Sequence, residues 1–362
     1  MKIGIISTFI GQKTSGAEIS AIHLCEKLKR KNDVFIICPK INYKMPCRSY
    51  NLNLDLIPNM ILHISTFLTD LILRYKILEI LKKEKPDYIH IQDFSILNAS
   101  LYPAKKLNIK TKLTVRDYRF NSNLTIDLQQ NKIIRNYNCL TYFKWLFLEL
   151  QKSKSLGFLT PFLFPFFYWA NNKNRHNIKR VDKIETVSNF VKNELIKNGI
   201  DSSKIKTVYN LPPKWKKEPL PNNKIKRYFA AGSLVKSKGF RDLIESFIKA
   251  HKSNKNIILY IAGDGSERKN LEKIVNDNKL NKKIIFTGRL TQQKIKEQYK
   301  MCDYVVIPSL WPEPLSRIIY EAHAIGRPVI ATDVGGNKEK LKKGDILVKN
   351  GDFFINKNGR NI

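Results

Sequence analysis

The sequence has few acidic residues for its length. Its 362 residues include 31 Asp and Glu against 65 Lys and Arg, which gives a formal net charge of +34 at pH 7. Such a charge raises the hypotheses of nucleic-acid binding and of contact with an anionic membrane surface. Lysine is nevertheless spread along the whole chain with asparagine and isoleucine, and no arginine-rich stripe concentrates it. We therefore predict no specific nucleic-acid partner, while a general attraction to phosphates and anionic headgroups remains.

Cysteine is also scarce, and its spacing is uninformative. The five cysteines are odd in number and form no CxxC pair. This argues against disulfide frameworks and zinc sites, and it fits a reducing cytoplasm. They are Cys25, Cys38, Cys47, Cys139 and Cys302.

Long uncharged stretches are missing as well. The longest covers residues 155–172, about the minimum length of a membrane span, and Pro161 and Pro165 interrupt it. The opening "MKIGIISTF" predicts a short strand rather than a signal peptide, because turn residues follow it too soon. We expect a cytoplasmic protein with neither a signal peptide nor a membrane-spanning helix.

Short apolar runs alternate with segments of helical periodicity throughout the chain. This alternation predicts parallel sheets with helices on both faces. It is interrupted at residues 211–224, "LPPKWKKEPLPNNK", whose four prolines indicate a linker. We predict two Rossmann-like, doubly wound α/β domains, residues 1–210 and 225–362, facing each other across a cleft.

Ligands of open parallel sheets bind outside the carboxyl ends of the strands. Small or polar residues cluster at these predicted ends in both halves of the chain, so we expect functional groups from both halves. These residues are Ser7, Asp93, Arg116, Asp117, Gly232, Gly263, Gly265, Gly288 and Ser309.

The segment "EPLSRIIYEAHAIGRPVIATDVGG" places two carboxylates around one predicted helix start. If the helix begins at Pro314, Glu313 lies at its cap and Glu321 lies about 12 Å along the axis. The backbone donors around Leu315 and Ser316 would then form an anion site at the positive end of the helix dipole.

A diphosphate at this site would leave each carboxylate near a hydroxylated group, such as a sugar ring or a ribose. The arrangement suits a nucleoside diphosphate sugar. The alternative is that Glu313 only caps the helix and Glu321 is solvated or salt-bridged.

This segment resembles the signature of the retaining glycosyltransferases of family four, which have the GT-B fold. The resemblance is dense in the carboxyl half and loose in the amino half, where "VRDYRF" is similar to a loop that follows a later strand. Further segments that match in order are "TSGAEISAIHLCEKL", "AAGSLVKSKGFRDLIESF", "LYIAGDGSERKNLEKI" and "IIFTGRLTQQKIKEQYKMCDYVVIPS".

The resemblance implies that Glu313 contacts hydroxyls of the donor sugar, that Glu321 binds the ribose and that Lys238 binds the diphosphate. A lysine is a compact charge suited to a leaving diphosphate; the alternative is a solvated lysine in a lysine-rich loop. The family usually adds an arginine where this chain has Ser233, and Arg289 and Arg317 are candidate substitutes.

Other predicted site residues come from glycine positions and from the amino half. Gly263 is assigned to donor binding. Gly16 would let backbone donors approach a phosphate or sugar, although a plain turn capped by Ser15 is equally compatible.

Arg116 stands where many relatives carry a histidine that faces the reacting sugar. An arginine cannot act as a base, but it can orient an acceptor or hold a phosphate, so we predict a catalytic role for it. Asp117 and His90 are assigned to the acceptor side; the alternative for His90 is a structural role in an apolar strand.

The resemblance implies transfer of a sugar, with retention of configuration, from a nucleoside diphosphate sugar to a glycan or lipid-linked acceptor in cell-surface polysaccharide or glycolipid synthesis. No metal and no other cofactor is expected. The aromatic and basic segment 142–180 is either a surface for an anionic membrane, at its inner face, or internal packing of the first domain.

Three departures from the family pattern favour an alternative function. Ser233 and Arg116 replace expected residues, and the chain ends sooner after Glu339 than its relatives do, so we expect a shortened second domain. A degenerate relative that binds nucleotide sugars without turnover is the alternative.

Overall fold

The computed structural model resolves the chain into two compact units, residues 1–125 with 133–209 and residues 126–132 with 210–362. The residues that it describes are 1–10, 16–53, 67–118, 126–127, 132–133, 139–152, 158, 160–222, 224–349 and 353–354.

The first unit is built on a seven-stranded parallel sheet with the order β11-β10-β7-β6-β1-β3-β5. The strands along residues 1–209, of which β8 lies in the stretch assigned to the second unit, are β1 (Lys2–Ile6), β2 (Phe9–Ile10), β3 (Asp33–Cys38), β4 (Lys40–Ile41), β5 (Arg48–Asn51), β6 (Tyr88–Ile91), β7 (Lys110–Val115), β8 (Ile126–Asp127), β9 (Lys132–Ile133), β10 (Lys183–Thr186) and β11 (Ile205–Thr207). The helices are α1 (Gly16–Leu28), α2 (Phe67–Glu84), α3 (Leu97–Lys106), α4 (Cys139–Lys152), α5 (Thr160–Asn177) and α6 (Asn189–Lys197).

The centre of this sheet is apolar on both faces. Ile3 and Ile5 of β1 pack with Ile36 of β3, and Ile22 and Cys25 of α1 cover them. Because helices cover both faces, the central strands are continuous apolar runs rather than alternating ones. The strand order changes direction between β1 and β6, and such switch points are where ligands bind in open α/β sheets.

The second unit is built on a six-stranded parallel sheet with the order β14-β13-β12-β15-β16-β17. Its strands are β12 (Lys226–Ala231), β13 (Ile257–Ala262), β14 (Ile284–Gly288), β15 (Tyr304–Ile307), β16 (Val329–Thr332) and β17 (Ile346–Val348). Its helices are α7 (Phe240–Ser253), α8 (Arg268–Asp277), α9 (Gln292–Met301) and α10 (Arg317–Ile325). The predicted fold class of two Rossmann-like parallel-sheet domains is confirmed.

The direction of this second sheet changes between β12 and β15. Leu243 and Phe247 of α7 pack in one cluster with Leu259 of β13 and Val306 of β15. The chain therefore leaves two adjacent central strands, β12 and β15, into loops that begin at the same edge of the sheet.

The proline-rich segment 211–222 forms neither helix nor strand, and it is attached to the second unit. The Trp215 ring lies 6.1 Å from that of Tyr299, and the Glu218 backbone N–H donates to the Ile325 carbonyl at 2.9 Å. The buried Arg327 fixes this segment further, because its guanidinium donates to the Glu218 carbonyl at 2.9 Å.

The start of α10 differs from the expectation. The helix begins at Arg317 with Ser316 as its N-cap residue, three residues later than Pro314. The preceding segment is bonded to a neighbouring loop instead: the Glu313 carbonyl accepts from the Gly336 N–H at 2.7 Å, and the Ser316 N–H donates to Asn337 Oδ1 at 2.9 Å. These tertiary bonds override the local preference of proline for the first helical turn.

The aromatic segment forms α4 and α5, and its prolines do not break a helix. Pro161 lies in the first turn of α5, where a missing N–H is harmless, and Pro165 lies within it. Phe164 packs on Phe143 with ring centroids 5.2 Å apart.

Other side chains of this segment face outward. Phe158 and Phe162 are exposed, as is Leu140 at the start of α4, so the segment supplies both internal packing and an outward apolar surface. Within the residues that the structure describes, no helix combines the length and the apolar character that crossing a bilayer demands.

Arg327 predicts a measurable stability effect. Its guanidinium is 2% exposed and donates to the carbonyls of Tyr299, Lys300 and Glu218. We expect Arg327→Met to lower the free energy of unfolding by roughly 3 kcal/mol, because it leaves buried acceptors without a donor. Urea denaturation followed by tryptophan fluorescence measures the change.

The matched control is Arg241→Met, which removes an exposed arginine paired with Glu245 four residues along α7. It should cost less than about 1 kcal/mol. Equal losses for the two variants would contradict the structural role of Arg327.

Candidate active site

An ion pair marks the switch point of the second sheet. Lys238 ends the short 3-10 helix Lys236–Lys238 that follows β12, and Glu313 follows β15. Lys238 Nζ lies 2.5 Å from Glu313 Oε1, and the Ser309 hydroxyl donates to the same oxygen at 2.6 Å. The structure thus brings together two of the predicted site residues, although 75 positions separate them.

The Lys238–Glu313 pair is partly buried and remains partly accessible to solvent. The Lys238 side chain is 28% exposed and that of Glu313 is 11% exposed. Lys238 Nζ also lies 5.0 Å from the centre of the Trp311 ring, which is a favourable position for a cation. Because an ammonium group has three N–H donors, Lys238 can hold Glu313 and still donate to a further acceptor.

Two glycines allow the loops around this pair to approach closely. Gly239 has φ +68°, and a Cβ there would lie 1.9 Å from the Pro308 carbonyl oxygen. Gly335 has φ +63°, and a Cβ there would lie 2.1 Å from the Glu313 carbonyl oxygen. Both positions therefore need glycine for conformation and for space.

The second carboxylate, Glu321, is fixed by a buried tyrosine. The Tyr299 hydroxyl donates to Glu321 Oε2 at 2.9 Å. Burial raises the pKa of Glu321 above its ordinary value, and the Tyr299 hydrogen bond and the Arg317 charge offset this in part. Burial likewise holds the pKa of Tyr299 well above 10, so Tyr299 stays protonated as the donor.

The backbone donors expected at the start of α10 are not arranged as predicted. Leu315 and Ser316 are both buried, and the Ser316 N–H is already bonded to Asn337. The Ser316 N–H is thus already bonded to a side-chain oxygen of the neighbouring loop, and the donor-binding role of Leu315 and Ser316 stays a prediction.

The remaining donor-side residues lie where strands β12, β13 and β14 end. Ser233 is exposed, and Arg289 is exposed directly after Gly288. The Gly263 N–H donates to the Gly288 carbonyl at 2.9 Å, which joins two of these loops. Arg317, the other candidate substitute for a second cation, lies beside Glu321 on α10.

In the first unit, Arg116 clamps the end of a neighbouring strand. Its guanidinium donates to the Gln92 carbonyl and to Gln92 Oε1, both at 2.8 Å. Asp117 follows it and is half-buried. Gly16 is the first residue of α1, whereas Ser15 and its predicted capping role lie outside the described residues.

His90 lies inside the sheet, which fits the structural alternative rather than an acceptor-side role. It is 1% exposed, and its Nε2 is 2.8 Å from Thr114 Oγ1. Burial, with the charges of Lys112 and Arg116, holds the pKa of His90 well below its ordinary value. The ring is therefore neutral at physiological pH.

Several residues of this site were not predicted from the sequence. Tyr299, Trp311, Asn337 and Ser309 were not assigned roles, although Ser309 was noted as a polar residue at a strand end. Among the described residues, no three His, Cys, Asp or Glu side chains are grouped so as to hold a metal ion. The absence of a metal requirement stays a prediction.

Two protein-family profiles match the sequence of this chain. The profile "Glycosyltransferase Family 4" matches residues 14–211, more than half of the chain, and "Glycosyl transferases group 1" matches residues 213–357. The chain belongs to glycosyltransferase family four. The second profile covers the Lys238–Glu313 pair and Glu321.

Individual relatives support the same family. YtcC of Bacillus subtilis is 32% identical over 195 residues, which is 46% of each chain. The lipopolysaccharide core biosynthesis glycosyltransferase LpsE of Rhizobium meliloti is 32% identical over 123 residues, 33% of this chain and 34% of that one. The matches thus span less than half the length of these relatives.

Solved structures show the same fold. Anabaena Alr3699/HepE in complex with UDP has a TM-score of 0.67 and 16% identity, over 98% of this chain and 87% of that chain. The family-four chain therefore has the GT-B fold, with a Rossmann-like domain in each half.

The close approach of Gly335 to the Glu313 carbonyl predicts that a side chain at position 335 lowers the stability of the fold. We expect Gly335→Ala to lower the free energy of unfolding by about 3 kcal/mol, because overpacking adds to the cost of a positive φ. Gly344→Ala is a matched control, since its φ is +98° but nothing lies within 4 Å of its added Cβ. It should cost about 1 kcal/mol. Equal losses in urea denaturation would refute the close contact.

Because the pKa of Glu321 is raised, we predict that replacing Glu321 by a neutral residue raises the thermal stability, and that this increase depends on pH. A carboxyl whose folded pKa lies above its unfolded value loses its contribution to stability as pH rises from 4.5 through the folded pKa. Glu321→Gln should therefore raise the Tm at pH 7.5, and the gain should shrink toward pH 4.5.

Thermal unfolding across this pH range checks the prediction. The control is Glu297→Gln, at an exposed position on α9, which should show no such trend. A Tm difference for Glu321→Gln that is independent of pH would contradict the interpretation.

Proposed function

We propose that the chain transfers a sugar from a nucleoside diphosphate sugar to a hydroxyl of a glycan or lipid-linked acceptor, with retention of configuration at the anomeric carbon. The observation that carries the proposal is the Lys238–Glu313 pair at the switch point of the second sheet. Switch points of such sheets are the usual ligand positions of the fold.

Lys238 would bind the diphosphate and stabilise the charge that develops on it as the sugar leaves. Its ammonium is partly exposed and keeps N–H donors beyond the one directed at Glu313. A charge held in a sheltered site acts more strongly than in water and needs no reorganisation during the reaction.

The two carboxylates would divide the hydroxyl groups of the donor between them. Glu313, held by Ser309 and Lys238, would accept from hydroxyls of the transferred sugar. Glu321, held by Tyr299, would accept from the ribose. Carboxylate oxygens suit both tasks, because each can accept more than one hydrogen bond.

Retention would follow from attack on the face that the diphosphate leaves. The bond between the anomeric carbon and the phosphate oxygen breaks, the acceptor oxygen bonds to the same carbon, and the acceptor proton passes to the departing phosphate. Lys238 would balance the charge on that phosphate. Arg116 and Asp117 are proposed to orient the acceptor, and neither is assigned as a base.

Relatives suggest the donor class and the product class. HepE is solved in complex with UDP and with UDP-glucose, and LpsE acts in lipopolysaccharide core biosynthesis. We propose a UDP-sugar donor and a product on the cell surface, a polysaccharide or a glycolipid. We further propose that the reaction needs neither metal nor other cofactor, so that EDTA should leave it unchanged.

A lipid-linked acceptor would require the protein to work at a membrane surface. The exposed Phe158, Phe162 and Leu140 offer apolar contact area in a strongly basic chain. We propose a cytoplasmic protein that binds peripherally to an anionic inner membrane face where a lipid-linked acceptor would lie.

A second candidate is a family member that binds nucleotide sugar without turnover. The observation that favours it is Ser233, an exposed serine where the family usually supplies a second cation for the diphosphate. A single lysine would then stabilise the leaving group less well.

A thermal-shift screen with UDP, GDP and ADP sugars tests the proposed donor site. We expect a UDP-sugar to raise the Tm, since a ligand at 100 times its Kd stabilises the folded state by about 2.7 kcal/mol. Lys238→Gln should abolish most of the shift, whereas Lys236→Gln, which removes an exposed lysine from the same turn, should preserve it.

Transfer assays separate the two candidates. For the enzyme, Glu313→Gln should lower the transfer rate by about 100-fold or more. A shift with no transfer in the wild type would favour the binding protein. No shift with any nucleotide sugar, or an equal loss in Lys236→Gln, would reject the donor site.

A further inference from the structure

A basic pocket lies on the helical surface of the first unit. It has a volume of about 430 Å³ and is lined by residues from α2, α3, α5 and the 3-10 turn Ile178–Arg180. Its cationic lining residues are Arg74, Lys105, Lys106, Lys173 and Arg180. Such a volume is typical of small-molecule sites.

The position of this basic pocket separates it from the candidate active site. Lys105 Nζ lies 2.7 Å from Asp182 Oδ1, and Asp182 also accepts from the Thr111 N–H at the start of β7. The basic end of the pocket is therefore near the amino ends of the strands. Arg116 lies at the opposite, carboxyl edge, where ligands of the sheet are expected.

The charges of the pocket are only partly compensated. Among the described residues, two ion pairs involve these cations: Asp182 pairs with Lys105, and the buried Asp70 lies 3.5 Å from Arg74. Burial lowers the pKa of Lys173, the charge of Arg74 lowers it further and the charge of Asp70 raises it, as expected where two cations lie close together. A bound anion would relieve this repulsion.

Two buried donors point to a ligand rather than to diffuse surface charge. Arg74 Nε and Asn98 Nδ2 are buried, and neither has a hydrogen-bond partner among the described residues. Asn98 lines the pocket and is 2% exposed, and its oxygen accepts from Asn177 at 2.6 Å. Buried N–H groups are normally satisfied, so an acceptor is missing here.

We propose that this pocket binds a phosphate group. A phosphate supplies several acceptor oxygens for the guanidinium and amide donors and a charge that matches the cations. The ring of Tyr102, which is 52% exposed, lies 5.4 Å from Arg74 Cζ and forms the rim. The phosphate comes either from a soluble organic phosphate or from an anionic lipid headgroup.

The test uses the full chain and two probes. Inorganic pyrophosphate is titrated calorimetrically, and vesicles of phosphatidylcholine with phosphatidylglycerol are compared with pure phosphatidylcholine in sedimentation. The double variant Lys106→Gln/Arg180→Gln removes two exposed pocket cations. It should weaken binding about 30-fold, since each basic residue near an anionic surface contributes about fivefold.

The matched control is Lys252→Gln/Lys269→Gln, which removes the same charge from exposed positions on the second unit. Asn98→Asp is a second variant, nearly isosteric, that places a carboxylate in the pocket. It should weaken binding more than Asn254→Asp does on the second unit. Far-UV circular dichroism confirms that each variant is folded.

Each outcome decides the proposal. Pyrophosphate binding that both pocket variants weaken assigns a soluble phosphate, and binding to anionic vesicles alone with the same losses assigns a lipid headgroup. Pocket variants that behave like their controls with both probes overturn the proposal, as does a wild type that binds neither probe.

Discussion

The contact between Lys238 and Glu313 is the interaction on which the candidate active site depends. It exists because β12 and β15 are neighbours in the sheet although the chain visits two other strands between them. Gly239 and Gly335 let the loops after these strands close on each other. A partly buried ion pair gains little stability once desolvation is counted, which supports the proposal that a ligand uses both charges.

The main elements of the fold could be predicted because their signal is local. Apolar runs such as "DVFIIC" and the helical spacing of "FRDLIESF" need no tertiary information, and the structure has a strand and a helix there. The start of α10 could not be predicted, because bonds to Gly336 and Asn337, more than twenty residues further on, decide it.

The same distinction applies to the candidate site. The resemblance to the family supplied Lys238, Glu313 and Glu321, but it gave no partner for any of them. Tyr299, which holds Glu321, comes from a different helix and reads in the sequence as an ordinary aromatic of an amphipathic segment. A long-range hydrogen bond between side chains cannot be inferred from the periodicity of the sequence.

Chemical residue type alone was an equally weak guide in the first unit. His90 had the right chemistry for an acceptor-side role, but Thr114 and burial make it a neutral member of the sheet.

The charge of the sequence identified no site, although the fold gathers some of the charged residues in one place. A net charge of +34 is so evenly spread in sequence that it identified no site. The fold changes this by packing α2, α3 and α5 together, so that Arg74, Lys106 and Lys173 share one pocket. What distinguishes this pocket from the rest of a basic surface is the pair of buried donors, Arg74 Nε and Asn98 Nδ2, that its own chain does not satisfy. An excess of cations is tolerated anywhere in water, whereas an unsatisfied buried N–H carries a cost that a specific acceptor would remove.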